Sequence, residues 1–510
     1  MKILFVHLVS DYSSLGIEYI SASLKRAGHE TDLILNYSEE KYFANRLYER
    51  VNAFKPDFIC FSVVTFDYLW ASGVAKFLRE ITSAKIVFGG IHPTSCPEEV
   101  IRHPFIDYIV IGEGDEAIID LVEAPDRKNI QNVWTNKGGE ITKNSVRPLL
   151  QDLDMLPFPD KELFYKEAPY LNKIYFIISG KGCPFSCSYC FNSSLKKIYN
   201  SKCWVRKRSV DNMIEELKTM KEKYNFRQVS FFDDCFTNDI AWFRDFAAKY
   251  KKEINLPFRA ITHPMFVNEE SATLLKDAGC IKIQVGAQSP IQKIREDICN
   301  RFTPNDVLIK AVKILKSKGM IVSIDHIFGL PTEKIEDYEQ GLDFYIDLKP
   351  NWYFTFWLQY YPNTGIVEIA KREKIITDDD VRKVSEGRIS FGTSAVKKEM
   401  LCISRFMHFI PFMPRALSKY LLRTKLYSKL FRFDFTSHLA GLIPHLYSRK
   451  LFMALFYEAD KIIRRKIALK KVERAGSQIE IPEELKHWNS TIIFKSYSNF
   501  DNENLKEELK

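Results

Sequence analysis

Three cysteines stand close together in a short, glycine-led stretch of the sequence. Cys183, Cys187 and Cys190 lie at spacings of four and three residues within Gly-Cys-Pro-Phe-Ser-Cys-Ser-Tyr-Cys-Phe-Asn. Three thiolates so spaced can converge on one iron-sulfur cubane, and a set of three leaves the fourth iron with an open coordination position. A structural zinc site has four protein ligands, and the nearest further cysteines, Cys203 and Cys235, do not form a second Cys-x-x-Cys pair. The spacing therefore favours a catalytic iron-sulfur cluster over zinc.

This cysteine loop follows a predicted strand and has an aromatic residue before its third cysteine. It resembles the Cys-x-x-x-Cys-x-aromatic-Cys signature of the radical S-adenosylmethionine (SAM) superfamily. The resemblance implies that the three cysteines bind a 4Fe-4S cluster and that SAM chelates the open iron. One electron from the cluster would then cleave SAM to methionine and a 5′-deoxyadenosyl radical, so a reductant such as flavodoxin or ferredoxin is implied. Tyr189 is the aromatic residue of the signature and an expected SAM contact.

Later segments resemble the parts of this superfamily that contact SAM. They supply Asp233 and Asp234 in Phe-Asp-Asp-Cys-Phe-Thr, Gln288 and Ser289 in Gly-Ala-Gln-Ser, Arg301 in Asn-Arg-Phe-Thr and Gly329 in Gly-Leu-Pro-Thr-Glu. Gln288 replaces an acid of the family, so a neutral hydrogen bond is expected there. Arg301 resembles the arginine that pairs with the SAM carboxylate, which a planar guanidinium suits. The alternatives are an N-cap and turn around Thr237 to Asp239, and a surface arginine at 301. His326 is expected to be a satisfied core histidine.

The first 125 residues alternate short apolar runs with amphipathic stretches, which predicts a parallel sheet with helices on both faces. Small and polar residues follow its strands: Ser62, Thr65, Gly89, Gly90, Gly112, Glu113 and Gly114. Single glycines are ordinary turn residues. Together with Gly-Ile-Glu-Tyr-Ile at 16–20, however, they resemble the cobalamin-binding domain that precedes many radical SAM enzymes. The Asp-x-His-x-x-Gly motif of some relatives is absent after the first strand, so cobalamin would bind without that histidine ligand.

The fold predicted is α/β throughout. We expect a Rossmann-like, flavodoxin-like parallel sheet domain at 1–130 and a hairpin and linker at 131–168. A partial (β/α)6 barrel of the TIM type follows at 169–390, and its chemistry should sit at the carboxyl ends of its strands. A basic helical region at 391–475 and a polar tail at 476–510 complete the chain.

The net charge of +9 is concentrated near the C-terminus. Residues 401–470 hold 14 Lys or Arg against three acids, which is +11 and leaves −2 for the rest. The interpretation favoured is a helical lid whose apolar side packs on the barrel while its lysines face water. The alternatives are contact with an anionic membrane surface and binding of an acidic, lipid or isoprenoid substrate. Nucleic-acid binding is disfavoured for want of any known module.

Cysteine usage and hydropathy indicate the compartment. Ten cysteines form no disulfide framework, the N-terminal apolar run lacks a cleavage site and reads as a strand, and no stretch nears about 18 apolar residues. We expect a cytoplasmic protein, with peripheral contact at the inner membrane face as the alternative that the basic region raises.

The interpretation favoured is a radical SAM enzyme with a cobalamin-binding domain that methylates an unactivated carbon of a small-molecule substrate. One rival is a radical SAM cyclase, rearrangement or oxidation enzyme, with or without cobalamin. A methylthiotransferase is disfavoured, because only Cys60 and Cys96 stand in the first domain. The rival of another class is a non-catalytic iron-sulfur or zinc scaffold, which anaerobic reconstitution would distinguish by metal content and SAM cleavage.

Overall fold

The computed structural model describes residues 1–37, 40–388, 397–432 and 449–491 of the 510-residue chain, without the side chains of 449–462 and 491. Its two large sheets are predominantly parallel. The strands are β1 Lys2–Leu8, β2 Glu30–Asn36, β3 Phe58–Ser62, β4 Lys85–Gly89, β5 Tyr108–Val110, β6 Val133–Lys137, β7 Glu140–Thr142, β8 Ile174–Ile177, β9 Gly180–Lys181, β10 Arg206–Lys207, β11 Gln228–Phe231, β12 Phe258–Thr262, β13 Cys280–Gln288, β14 Ile321–Phe328 and β15 Trp352–Trp357.

Helices flank both sheets. They are α1 Leu15–Arg26, α2 Phe43–Phe54, α3 Tyr68–Ile81, α4 Ile91–Ser95, α5 Pro97–Ile101, α6 Ala117–Glu123, α7 Lys161–Glu167, α8 Phe191–Tyr199, α9 Val210–Tyr224, α10 Ile240–Glu253, α11 Glu269–Ala278, α12 Gln292–Asp297, α13 Asn305–Ser317, α14 Ile335–Leu348, α15 Gly365–Arg372, α16 Asp378–Ser385, α17 Lys398–Phe409, α18 Arg415–Arg423, α19 Tyr427–Leu430, α20 Arg449–Gly476 and α21 Trp488–Thr491. None of the helices in the described part of the chain is long and apolar enough to cross a bilayer.

The first sheet confirms the flavodoxin-like prediction. Its parallel strands run in the order β2-β1-β3-β4-β5, the doubly wound order that places ligands beyond the strands' carboxyl ends. The predicted hairpin is present as β6-β7. It pairs antiparallel with β5 and extends the sheet to seven strands, because Val133 is apolar and fully buried against the domain core.

The second sheet contains the six predicted barrel strands. They are parallel and adjacent in chain order, β8-β11-β12-β13-β14-β15. Alternate residues such as Val229, Ile283 and Val285 face the helices and form one continuous apolar core with them. All carboxyl ends therefore meet along one edge, where the loops carry the predicted SAM contacts.

The C-terminal helices pack on the barrel and then return to the first domain. Ile403, Phe406 and Met407 of α17 are buried in the barrel core, and Lys419 of α18 pairs with Asp347 at 2.9 Å. The polar tail predicted at 476–510 is not what the structure shows up to residue 491. Ile481, Leu485 and Trp488 pack in the core of the first domain, because these side chains are apolar and are buried there. Residues 492–510 lie outside the described residues.

Candidate active site

The cysteine loop begins where β8 ends, and its entry is held by an acid of the neighbouring strand. Asp233, just past β11, accepts hydrogen bonds from the Ser179 amide at 2.9 and 3.1 Å and from the Ser179 hydroxyl. Gly182 has φ +89°, and a Cβ there would lie 2.4 Å from the carbonyl oxygen of Trp204. Only glycine can therefore precede Cys183, because both the backbone conformation and the space demand it.

The three cysteines of the loop are unpaired thiols, as are all cysteines in the described residues. Burial, with smaller contributions from Asp234 and the neighbouring cysteines, raises the pKa of Cys183 and Cys190 to about 12. A metal must therefore displace the protons of these thiols to bind. No group of three His, Cys, Asp or Glu side chains in the described residues converges on a single ion. Three cysteines on one loop supply the thiolate ligands that a cubane takes from a protein, one for each of three irons.

Two of the predicted SAM contacts gather beside Cys187. Arg301 is 7% exposed, and it donates from Nη2 to the carbonyl oxygen of Gly286 at 2.5 Å. Its Nη1 lies 3.6 Å from Sγ of Cys187. The backbone of Gln288 is left-handed, with φ +71°. Its side-chain nitrogen Nε2 lies 2.8 Å from the position that a Cβ on Gly286 would occupy. The surface-arginine alternative is therefore wrong, because the guanidinium is buried against the cysteine loop.

The other predicted SAM contacts hold the loops of the site. The Ser289 hydroxyl donates to Glu333 at 3.1 Å, and the amide of Gly329 donates to the hydroxyl of Tyr338 at 2.9 Å. Tyr189 is half-buried against a small apolar cluster. Their direct contact with SAM stays a prediction, as does that of Asp233, whose oxygens serve Ser179.

A cleft of about 440 Å³ separates the carboxyl edge of the first sheet from the cysteine loop. Six of the seven predicted cobalamin contacts line it: Ser62, Gly89, Gly90, Gly112, Glu113 and Gly114. Across the cleft are Gly182, Asn192 and Asp234, next to the cysteines. Thr65 is not among the lining residues, and its hydroxyl lies 3.2 Å from Nδ1 of buried His92.

Charged side chains cross the edge of this cleft. Arg206 of the barrel, 5% exposed, donates to both oxygens of Glu113 at 2.6 and 3.0 Å. Lys181 donates to Asp115 at 2.8 Å. The Tyr199 hydroxyl accepts from the Glu113 amide at 2.5 Å. These contacts orient the glycine-rich edge of the first sheet toward the cysteine loop.

Two histidines near the barrel strands have different surroundings. His326 is buried on the helix side of β14, where Nδ1 lies 3.2 Å from the hydroxyl of Tyr345. The core position is confirmed, but only one ring nitrogen is satisfied, because Nε2 has no partner in the described residues. His263 follows β12 at the carboxyl edge, and its ring stacks on Phe185 of the cysteine loop with centroids 3.8 Å apart. Sequence reasoning missed His263, although the position directly after a barrel strand was a usable signal.

Comparison with known families divides the chain as the two sheets do. Residues 1–122 match the model of the B12 binding domain. Residues 177–345 match that of the radical SAM superfamily.

Individual relatives cover most of the chain. It is 29% identical over 378 residues to an uncharacterized methyltransferase of Pyrococcus horikoshii, covering 72% of this chain and 81% of the relative. It is 22% identical over 388 residues to the anaerobic magnesium-protoporphyrin IX monomethyl ester cyclase of Rubrivivax gelatinosus, covering 71% and 68%. The solved structure of the cobalamin-dependent S-adenosylmethionine radical enzyme OxsB superposes with a TM-score of 0.66 at 14% identity, covering 98% of this chain and 84% of that one. The last likeness shows the shared fold.

Proposed function

Because its two domains match these two families, the chain is a radical SAM enzyme with an N-terminal B12-binding domain, and we propose that it methylates an unactivated carbon of a small-molecule substrate. Its cofactors are a 4Fe-4S cluster, SAM and cobalamin, and it needs a reductant. When bound, the cluster supplies the electron for reductive cleavage of SAM, and cobalamin carries the methyl group. The protein binds, orients and shields these groups.

The cleft between the sheets carries this proposal. One wall is the glycine-rich edge of the B12-binding domain, and the other holds Gly182 and Asn192, which adjoin Cys183 and Cys190 in the chain. A cobalamin in the cleft would therefore face the cluster loop directly. Methyl transfer requires this proximity, because both cofactors must reach one substrate carbon.

The residues proposed for each cofactor suit its chemistry. Cys183, Cys187 and Cys190 offer three sulfur ligands on one loop, and Arg301 offers a buried cation for the SAM carboxylate. On the cobalamin wall, Gly16 has no heavy atom within 4 Å of where a Cβ would stand, and apolar neighbours such as Ile20 and Ile91 line the rest. A large flat macrocycle needs such an open, mostly apolar surface.

Anaerobic purification with cobalamin and iron tests the proposal. We expect the cobalamin absorbance to stay with the protein, iron near four atoms per chain, and 5′-deoxyadenosine formed on reduction with SAM. Deuterium-labelled methyl-SAM should give a labelled methyl group in the product. Bound zinc without SAM cleavage would instead support the scaffold alternative.

The second candidate is a radical SAM cyclase. The relative from Rubrivivax gelatinosus, whose similarity covers 71% of this chain, is named as a cyclase. Such an enzyme would form 5′-deoxyadenosine and an oxidised or ring-closed product without label from the SAM methyl group. The same labelling experiment therefore separates the two candidates.

For the substrate class we propose a lipid or isoprenoid, delivered by peripheral contact with a membrane. The supporting observation is that apolar side chains of the basic helices stay exposed in the described part of the chain. Leu417 and Tyr420 of α18 are 44% and 56% exposed, beside Arg423. Such a mixture of apolar and cationic groups suits an anionic lipid surface. The ion pairs from α18 to the barrel support the lid alternative.

Sedimentation with vesicles of phosphatidylglycerol and phosphatidylcholine at low salt tests this membrane contact. We expect the wild type to sediment, and Leu417→Ser with Tyr420→Ser to lose most of that binding. Ile375→Ser is the matched control, because Ile375 is 46% exposed outside the basic helices. Equal sedimentation of all three proteins, or none by the wild type, would contradict the membrane contact and leave the lid.

A further inference from the structure

His263 combines burial with an unused hydrogen-bond donor. The side chain is 4% exposed, and it directly follows β12 at the carboxyl edge of the barrel. Nδ1 accepts a hydrogen bond from the backbone amide of Met265 at 3.2 Å. A neutral imidazole that accepts at Nδ1 carries its proton on Nε2. Nε2 has no partner in the described residues, so a buried N–H donor is left unsatisfied.

The surroundings of this donor lie beside the cluster loop. The His263 ring stacks on Phe185, between Cys183 and Cys187 in the chain, at 3.8 Å and an interplanar angle of 21°. Burial and, to a smaller extent, the nearby charge of Arg301 together lower the pKa of His263 to about 2. The imidazole therefore stays neutral with its donor in place, and it lies within the field of a guanidinium.

Arg301 has a matching unused group. Its Nη1 and Nη2 are directed to Cys187 and Gly286, but its Nε is buried and has no partner in the described residues. His263, directly after β12, and Arg301, in the loop between α12 and α13, thus each hold one unsatisfied N–H. Leaving a buried donor unpaired is costly, which indicates that an acceptor belongs there. One neutral and one cationic donor suit a carboxylate, which has two acceptor oxygens.

Building on the SAM site of the proposed function, we propose that Nε2–H of His263 is a second donor, beside Arg301, to the carboxylate of the methionine part of SAM. His263 then binds the cofactor directly, while Phe185 fixes the plane of its ring and Met265 fixes its tautomer. The role of His263 is to select and orient SAM at the cluster loop. No proton moves from it, because both ring nitrogens are held in one hydrogen-bonding state.

Equilibrium dialysis of the reconstituted full-length enzyme tests this role. SAM is compared with decarboxylated SAM, which keeps the sulfonium and adenosine and lacks the carboxylate. His263→Phe keeps a ring to stack on Phe185 and removes the donor. We expect it to weaken SAM binding roughly tenfold to a hundredfold, the value of a hydrogen bond to a charged acceptor. Binding of decarboxylated SAM should not change.

Matched variants keep the test decisive. His263→Gln retains an N–H donor and should recover most of the SAM affinity, whereas the side chain of His263→Asn is too short and should not. If His263→Phe binds no iron, the comparison of the Gln and Asn variants takes its place. Ile375→Ser, at a side chain that is 46% exposed and not part of this site, should bind SAM as the wild type does. If His263→Phe weakens the binding of SAM and of decarboxylated SAM equally, or weakens neither, the assignment is overturned. A wild type that binds no SAM would instead overturn the proposed function.

Discussion

Replacing Lys161 with methionine perturbs a buried ion pair that joins the two domains. Nζ of Lys161 donates to Oε2 of Glu18 in α1 at 2.6 Å and to the carbonyl oxygen of Phe176 in the first barrel strand at 2.8 Å. Neither charged side chain has any exposed surface. The same helix α1 presents Gly16 and Ile17 to the cleft. The pair therefore holds one wall of the cofactor cleft against the barrel.

The expected loss follows from this burial. Removing one partner of a buried pair leaves an uncompensated charge and costs about 3–5 kcal/mol. We expect about 4 kcal/mol, the middle of that range, because the Glu18 carboxylate has no exposed surface through which water could compensate its charge. Methionine keeps much of the lysine stem, so little packing is lost. Urea unfolding followed by circular dichroism and intrinsic fluorescence measures the change.

The pH dependence of the variant gives a second check. Burial already raises the pKa of Glu18 in the folded state, and Lys161 opposes that rise. Without Lys161 the folded-state pKa rises further above its unfolded value, so the folded protein binds the proton more tightly. The penalty is absent below the unfolded-state pKa and grows as pH rises through the folded one. The stability gap to the wild type should therefore be larger at pH 8 than at pH 5.

Two further variants make this reasoning refutable. Glu18→Met combined with Lys161→Met removes both charges and should recover most of the loss. Lys137→Met breaks an exposed pair with Asp126 and should change nothing measurable. A double variant no more stable than Lys161→Met, or a loss independent of pH, would show that the pair is not what holds the domains together.

The remaining predictions concern the cofactors and the cleft. Cys187→Ala should lose iron and abolish reductive SAM cleavage, measured as 5′-deoxyadenosine, whereas Cys402→Ala in α17 should keep both; cleavage by the first variant would refute the cluster assignment. Gly89→Phe should abolish cobalamin absorbance in the purified protein. The backbone has room for the new Cβ, whose nearest atoms would lie at 3.8 Å, but the phenyl ring would fill the cleft that Gly89 lines. The control Ser83→Phe, near the opposite end of β4, should retain the absorbance. Arg206→Met should lower the free energy of unfolding by about 2 kcal/mol, between the values for buried and exposed pairs; unchanged urea unfolding would count against a structural role for that bridge.

The regular elements were predictable because they follow local periodicity. The N-terminal apolar run, which the sequence predicts to be a strand, is β1. The six parallel strands expected for the partial barrel are also present. The cysteine loop and the glycine-rich strand ends were also visible, since their spacing is short and falls within single loops.

The long-range parts of the site could not be predicted in this way. Glu18 and Lys161 are 143 residues apart, and nothing in the sequence near either one indicates the other. Arg206 and Glu113 are 93 residues apart. Such pairs depend on how the two sheets dock, which periodicity does not encode. His263 escaped notice for a related reason: its significance lies in an unsatisfied donor, which only three-dimensional accounting shows.

The return of the chain after α20 has a consequence for biosynthesis. Trp488 donates from Nε1 to Glu80 at 2.8 Å, and Asn489 bonds to Asn45 and to the amide of Ala44. Residues 1–122 are thus translated long before residues 481–489, which complete the hydrophobic core of the same domain. The B12-binding domain therefore cannot mature fully until that later stretch has been synthesised, and a fragment ending near residue 130 would expose apolar surface that invites aggregation.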